Sequence, residues 1–311
     1  MTAWVLKGGR AGEREQRMLD HGCASIGWED MPDLSGFDSR DSLEALYRSR
    51  YPDAPEGRIP NHVGQLFRFS HDSQVGDIIV VPLKTSAAIA IGEVTGPYEF
   101  RSDLGSDMRH TLPVKWLRTD IPRGTVDQDL LDTFGGLQTF SRAERNNAEA
   151  RIRSLARRSG SNPPLPPGEA DGNDFEFQDV EEHARDQILA HLGRKFRGHE
   201  LARLVDAVLT ARGLYTRRMP PGPDGGADIL AGSGPMGLDA PRLCVQVKSS
   251  DSPADVKVYR ELKGTMASFG ADQGLLVSWG GFKDTVRRET QADFFLIRLW
   301  DAGDLLIAIL G

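Results

Sequence analysis

The feature that most constrains the fold is a pair of predicted strands within Pro223–Ser249. The first, PDGGADIL, places Asp224 and Asp228 on a glycine-rich turn ahead of a short apolar run. The second, RLCVQVKSS, alternates apolar and polar side chains, as a strand with one polar face does. Its polar face carries Cys244, Gln246 and Lys248. If the strands pair, a carboxylate, an amide oxygen and an ammonium meet at one sheet edge, where they can bind a divalent cation and activate a water.

The composition predicts a globular protein of two domains. The 311 residues suffice for two domains that each bury a core, and 39% apolar with 27% charged residues excludes a disordered chain. The formal net charge of -7 provides no overall attraction for nucleic acid. Any such binding must therefore rely on local basic patches.

Cysteine usage and hydropathy predict a cytoplasmic protein without a membrane partner. Cys23 and Cys244 are far apart and lack metal-ligand spacing, so a disulfide framework is not expected. Charges at Lys7 and Arg10 interrupt any signal-peptide pattern. No apolar run approaches the roughly 18 residues that a membrane span needs.

The order of predicted elements divides the chain. Several short strands with two small helices over residues 1–158 predict a compact, β-barrel-like α+β domain. The proline- and glycine-rich run that follows predicts a linker at 159–173. Residues 174–311 alternate as α-β-β-β-α-β-α-β, which predicts an α/β domain with a mixed sheet flanked by helices.

The C-terminal domain resembles the Mrr-type catalytic domains of the PD-(D/E)xK superfamily over residues 196–311. The motifs that carry the resemblance are His199-Glu200-Leu201, Asp224-Gly225-Gly226-Ala227-Asp228, Val245-Gln246-Val247-Lys248 and Gly280-Gly281-Phe282. The resemblance implies a restriction-endonuclease-like fold. It also implies a Mg²⁺-dependent endodeoxyribonuclease of the type IV-like restriction class, in which Mn²⁺ can replace Mg²⁺.

The resemblance also implies roles for individual residues. Asp228 would be the principal metal ligand, and the Gln246 side-chain oxygen and Glu200 would complete the metal shell. Lys248 would orient the attacking water and stabilise negative charge. Most superfamily members have an acid where Gln246 stands, so we expect weaker metal affinity here. Two alternatives stay open: Asp224 is typical of a turn, and Glu200 is typical of a first helical turn.

The first half resembles the EVE/PUA-like domains that occur fused to restriction nucleases. The matching segments are AWVL at 3–6, IGW at 26–28, NHVGQL at 61–66, GDIIVVP at 76–82 and IAIG at 89–92. In that superfamily a barrel pocket holds a flipped or modified base. The residues predicted to line this pocket are Trp28, Asn61, Gln65, Trp4 and Phe67. The alternatives are that the tryptophans belong to the core and that Asn61 caps a helix.

A run of arginines before the linker is the strongest local basic bias. The residues predicted to contact DNA phosphates are Arg151, Arg153, Arg157 and Arg158. A solvated helix face is the alternative.

Together these features predict a modification-dependent restriction endonuclease. Its N-terminal domain would read a modified base, such as 5-methylcytosine or a derivative, in double-stranded DNA, and its C-terminal domain would cut. A homodimer is expected, because cutting both strands takes two active sites. One alternative is an Mrr-like nuclease whose first domain senses RNA or a nucleotide signal. The other is a DNA-binding protein whose catalytic domain has decayed, with Gln246 as the lesion.

Overall fold

The computed structural model describes residues 1–157, 180–220 and 226–310. The chain divides into two compact units, Met1–Ile121 with Val126–His183, and Pro122–Thr125 with Ala184–Gly311. The predicted linker at 159–173 lies outside the described residues, as do Arg158 and Asp224. Within the described ranges, none of the helices has the length and apolar character needed to cross a membrane.

The described residues of the first unit form seven strands and five α-helices. The strands are β1 (Ala3–Leu6), β2 (Cys23–Ile26), β3 (Ile78–Pro82), β4 (Ala88–Val94), β5 (Glu99–Phe100), β6 (His110–Pro122) and β7 (Phe140–Arg142). The helices are α1 (Glu15–His21), α2 (Arg40–Arg50), α3 (Ile59–Phe67), α4 (Gln128–Phe134) and α5 (Ala148–Arg157). A single π-helical turn, Arg68–Asp72, extends α3.

These strands form one mixed sheet in the order β2-β6-β4-β3-β1-β7, with β5 paired to β6. Strand β1 is parallel to β3 and antiparallel to β7. The order is open, since its end strands β2 and β7 are not neighbours. The described strands therefore do not confirm the predicted PUA/EVE-like β-barrel.

Both faces of this sheet are buried at β1 and β3, which explains why these two strands are apolar along their whole length. Side chains alternate along β1, so that Trp4 and Leu6 enter one core while Ala3 and Val5 enter the other. The indole Nε1 of Trp4 donates a hydrogen bond to Asp77 at 2.9 Å, and its ring stacks on Phe140. Trp4 is thus the centre of the first core.

The second unit has the predicted mixed sheet flanked by helices. Its elements are α6 (Val180–Lys195), α7 (His199–Ala211), β8 (Tyr215–Arg218), β9 (Ile229–Ser233), β10 (Asp239–Lys248), α8 (Val256–Phe269), β11 (Gln273–Ser278), α9 (Asp284–Thr290), β12 (Ile297–Trp300) and α10 (Ala302–Leu310). The strand order is β12-β11-β10-β9-β8. Strand β10 is antiparallel to β9 and parallel to β11, which is parallel to β12.

Helices pack on both faces of this sheet, and their contacts show which face each side chain of β10 occupies. Cys244 packs in a core with Tyr259 and Leu262 of α8. Val245 packs on the other face with Leu201 and residues near it on α7. Because side chains alternate along a strand, Gln246 and Lys248 lie on the α8 face with Cys244.

Candidate functional site

Asp228 lies at the start of β9 and is held against β10 by hydrogen bonds. Its main-chain N–H donates to the carbonyl of Val245 at 2.8 Å, and its own carbonyl accepts from the N–H of Met219 at 2.9 Å. The carboxylate Oδ2 accepts from the N–H of Val247 at 2.7 Å. The side chain is half-buried, and its second oxygen is left to bind something other than β10.

Gln246 is the neighbour of Asp228 in the strand pair. Its side chain is only 4% exposed, and within the described residues its Oε1 is buried without a hydrogen-bond partner. Native structures satisfy nearly all buried polar atoms, and an orphaned one calls for a ligand or a water. The Gln246 oxygen is thus available to a cation.

Lys248 ends β10 two residues further along the same face. Its side chain is half-buried, and in the parts of the chain that the structure describes its ammonium forms no ion pair. A lysine without a carboxylate partner is available to an anion such as a phosphate or a developing hydroxide. The structure therefore brings Asp228, Gln246 and Lys248 together, as the strand pattern predicts.

Cys244 shares this face and is fully buried in the core against α8. Burial raises the pKa of its thiol to about 11, and the negative charge of the nearby Asp228 carboxylate adds to the rise. The protonated thiol is a poor metal ligand and a poor nucleophile at neutral pH. Val245 is in register with Ile229, so Asp228 stands opposite Gln246 and their side chains point to the same face.

Glu200 is not brought to the same place. It lies in the first turn of α7, which packs on the face of Val245, opposite the face of Gln246. Both of its carboxylate oxygens accept hydrogen bonds from Arg203, at 2.9 and 3.1 Å. This placement matches the alternative, a first-turn acid that favours the helix dipole.

The Gly280-Gly281-Phe282 segment fixes the loop that follows Lys248. The N–H of Ala254 donates to the carbonyl of Gly281 at 2.9 Å, and the N–H of Lys283 donates back to the carbonyl of Ala254 at 3.1 Å. A side chain at Gly280 would come within 2.6 Å of the backbone of the 251–252 turn. Gly281 has a φ of 73°, a conformation that favours glycine. The motif thus sets where β10 ends, a role that the sequence does not reveal.

The donor set suits a hard divalent cation. A carboxylate oxygen and an amide oxygen are the oxygen ligands that Mg²⁺ accepts, with water in its other positions. The orphaned Oε1 of Gln246 is the observation that supports the fit. In the ranges described, no three His, Cys, Asp or Glu residues cluster to form a metal site. A cation here would therefore be held by few protein charges.

Two of the predicted base-pocket residues are structural. Trp4 is fully buried in the core of the first unit, so the prediction that it faces a pocket is not supported. Gln65 is also buried: its Nε2 donates to Asn61 at 2.6 Å, and its Oε1 accepts from the N–H of Phe140 at 3.1 Å. Gln65 therefore joins α3 to β7, and these two hydrogen bonds occupy the amide groups that would contact a base. Asn61 is exposed inside α3 and does not cap it.

Trp28 belongs to a partly exposed aromatic group. It is half-buried with a φ of 68°, a strained conformation that often marks a functional position. Its ring meets His62 edge-on at 5.6 Å, and the Tyr47 hydroxyl lies 2.7 Å from His62 Nδ1. Burial lowers the pKa of His62, and the charge of Arg58 lowers it further. The sequence does not connect Tyr47 and His62 with Trp28, because the spacing of the three residues along the chain follows no pattern.

Phe67 is part of a second, basic surface. Its ring stacks on His71 at 4.7 Å, and the Arg40 guanidinium lies 5.5 Å from its centroid. Arg68 donates to Gln138 at 3.1 Å, but its buried Nε has no hydrogen-bond partner in the part of the chain that the structure describes. Burial lowers the pKa of Arg68, and the positive charges of Arg40 and Arg142 act in the same direction.

We call Arg40, Arg68 and Arg142 the arginine cluster. Asp72 approaches Arg40 at 3.8 Å and Glu144 approaches Arg142 at 3.2 Å. These carboxylates offset part of the charge of Arg40 and Arg142, and Arg68 itself is half-buried. Such an arrangement favours an anion.

The arginines before the linker are differently placed. Arg151 is 4% exposed, and its guanidinium binds Asp127 at 2.8 Å and Asp129 at 2.6 Å. It holds α5 to the segment ahead of α4, so a phosphate contact is not supported. Arg153 pairs with Glu149 at 3.2 Å, while Arg157 is exposed.

Two family models match separate parts of the chain. Residues 193–309 match a family model described as "Restriction endonuclease" (Mrr_cat). The C-terminal part of the chain is a restriction endonuclease domain of the Mrr_cat family. Residues 4–134 match a model described as "Domain of unknown function (DUF8426)". Among curated proteins, no match is found.

Solved structures show only a distant likeness. MspJI restriction endonuclease in complex with a 27-mer oligonucleotide is 15% identical, with 94% of this chain and 70% of that chain covered and a TM-score of 0.32. The DNA modification-dependent restriction endonuclease AspBHI is 14% identical, with 83% and 70% covered and a TM-score of 0.33. The protein of unknown function AF1548 is 14% identical with a TM-score of 0.28, over 33% of this chain. The chain spans 57% of the length of AF1548.

Proposed function

We propose that the chain is a modification-dependent restriction endonuclease acting on double-stranded DNA. The second unit hydrolyses phosphodiester bonds with Mg²⁺, which Mn²⁺ can replace, and the first unit recognises a modified base. The observation that carries the proposal is the meeting of Asp228, Gln246 and Lys248 on one sheet face, in a restriction endonuclease domain, with the Gln246 oxygen unpartnered.

Each of these side chains has a distinct task in the proposed reaction. Asp228 and the Gln246 oxygen hold the cation, and the hydrogen bond from Val247 orients the Asp228 carboxylate. A bound Mg²⁺ supplies positive charge at the scissile phosphate and lowers the pKa of a bound water. Lys248 holds the attacking water by a hydrogen bond and stabilises the negative charge that develops on the phosphate oxygens.

The arginine cluster is the proposed phosphate-binding surface of the first unit. It takes the role that the sequence analysis predicted for Arg151, whose guanidinium is bound by Asp127 and Asp129. The partly exposed aromatic group around Trp28 is the proposed place for the modified base, because aromatic faces stack on bases of any sequence.

Removing two charges of the arginine cluster tests the phosphate-binding proposal. We expect Arg40→Ala with Arg142→Ala to weaken DNA binding about tenfold. The dependence of log affinity on log salt should become shallower by about two, because each lost phosphate contact removes about one unit of slope. Fluorescence anisotropy at several salt concentrations measures both quantities.

The matched control removes the same charge elsewhere in the first unit. Arg48 is bound by Glu44 and Glu56, and Arg101 is bound by Asp103. Alanine at both positions should leave the affinity and the salt slope unchanged. Equal losses in the two double variants would reject the arginine cluster as the binding surface.

The function itself is tested by cleavage of matched plasmids. Unmodified, 5-methylcytosine and 5-hydroxymethylcytosine plasmids are incubated with the protein in Mg²⁺, in Mn²⁺ and in EDTA. We expect cutting of a modified plasmid only, and none in EDTA. Equal cutting of all three plasmids would reject modification dependence and favour a first unit that senses RNA or a nucleotide signal. Tight binding without cleavage in either metal would favour a decayed catalytic domain.

A further inference from the structure

Ser278 is a second buried polar residue beside the proposed cation site. It ends β11 and is fully buried, and within the described residues its Oγ makes no hydrogen bond. In the parallel pairing of β10 and β11, Ser278 stands in register with Lys248. Residues in register on neighbouring strands point to the same face of a sheet. The Ser278 hydroxyl therefore lies on the face of Gln246 and Lys248.

Two orphaned oxygens thus occur together at the carboxyl ends of neighbouring strands. Gln246 is in register with Leu276, two residues before Ser278. Strand spacing and rise place the backbones of Gln246 and Ser278 about 8 Å apart, and within the described residues their side-chain oxygens do not hydrogen-bond to each other. The distance suits two groups that share an intervening ligand with its water. Buried polar atoms are rarely left unpaired, and a pair of them on one face indicates a common polar partner.

We propose that Ser278 is a positioning residue of the cation site. Its hydroxyl hydrogen-bonds a water in the hydration shell of the cation that Asp228 and Gln246 hold. The inference rests on the proposed function and adds a residue that the strand motif does not contain. Mg²⁺ keeps several waters when it binds to protein. Where the protein supplies a single carboxylate, side chains that hold those waters raise the affinity for the cation and fix the orientation of its waters.

Hydrogen bonds of the loop that follows β11 support this assignment. The N–H of Gly281 donates to the carbonyl of Ser278 at 3.0 Å, and the N–H of Trp279 donates to the carbonyl of Lys248 at 2.8 Å. The ends of β10 and β11 are thereby held side by side. A hydroxyl on such a rigid strand end keeps a water in one place at little entropic cost.

The test compares metal binding by the full chain and by Ser278→Ala. Titration calorimetry with Mn²⁺ and the rise in melting temperature with Mg²⁺, relative to EDTA, are measured for each. We expect the apparent Kd for Mn²⁺ to rise about tenfold or more. The melting temperature in EDTA should not fall, because the variant loses a hydroxyl that has no partner. Ser278→Thr keeps the hydroxyl and should retain most of the affinity.

Ser25→Ala is the matched control. Ser25 is also fully buried in a strand, in the first unit, with its Oγ 3.4 Å from the carbonyl of Ile26. It should bind Mn²⁺ as the wild type does. Wild-type affinity in Ser278→Ala overturns the inference, and so does a lower melting temperature in EDTA with unchanged affinity. If the wild type cuts DNA in that case, the proposed function stands. A wild type that neither binds metal nor cuts overturns both.

Discussion

Lys248→Ala is expected to reduce Mg²⁺-dependent DNA cleavage by about 10³-fold or more. The ammonium is a positive charge at the end of β10 without an ion-pair partner among the described residues, and a preorganised group that stabilises transition-state charge is worth about 10²–10³ in rate. Loss of its part in orienting the attacking water adds to this effect. The measurement is single-turnover cleavage of a substrate plasmid. DNA affinity by anisotropy should stay nearly unchanged.

Lys115→Ala is the control for that experiment. Lys115 is an exposed lysine on β6, in the first unit. The variant should cut at the wild-type rate. If cleavage survives in Lys248→Ala, the assignment of the site is wrong. If both variants lose activity together, the effect comes from the loss of net positive charge and not from the site.

Gly280→Ala is expected to destabilise the second unit by about 1–3 kcal/mol, the usual cost of forcing atoms into a packed place. The new methyl group would come within 2.6 Å of the backbone near Asp251 and Ser252. Backbone atoms cannot swing aside as a side chain can. The loop after Lys248 must therefore shift, and cleavage should fall as well. Urea denaturation followed by tryptophan fluorescence measures the change.

Gly264→Ala is the matched control on a neighbouring element. Gly264 lies inside α8, with no atom within 4 Å of where its methyl group would be. Alanine is favoured over glycine in a helix interior, so this variant should be more stable by roughly 0.5–1 kcal/mol. The free energy of unfolding should therefore fall in Gly280→Ala and rise in Gly264→Ala. A Gly280→Ala protein as stable as the wild type would show that the loop is not clamped.

The strand motif predicts which side chains come together, because its information is local. Alternation along β10 places Gln246 and Lys248 on one face, and the pairing of β9 with β10 brings Asp228 beside them. Periodicity alone does not tell which face a helix covers. For that reason the sequence leaves Glu200 open, while the structure places its helix on the opposite side.

Contacts between distant parts of the chain explain the predictions that fail. Trp4 reads equally well as a pocket or a core residue until its partner Asp77, 73 positions away, is known. Arg151 reads as a free cation until Asp127 and Asp129 are seen to bind it. No local pattern reports a salt bridge or a hydrogen bond over such separations. The same reason hides Ser278, whose neighbour Lys248 belongs to another strand.

The strand orders of the two units imply different events during synthesis on the ribosome. In the second unit each strand from β9 to β12 pairs with the strand made just before it. Its sheet can therefore grow one strand at a time as the chain emerges. Strand β1 must wait for β3 at Ile78 and for β7 at Phe140. A nascent chain stalled in that interval leaves the apolar Ala3–Leu6 edge open to pairing with other chains.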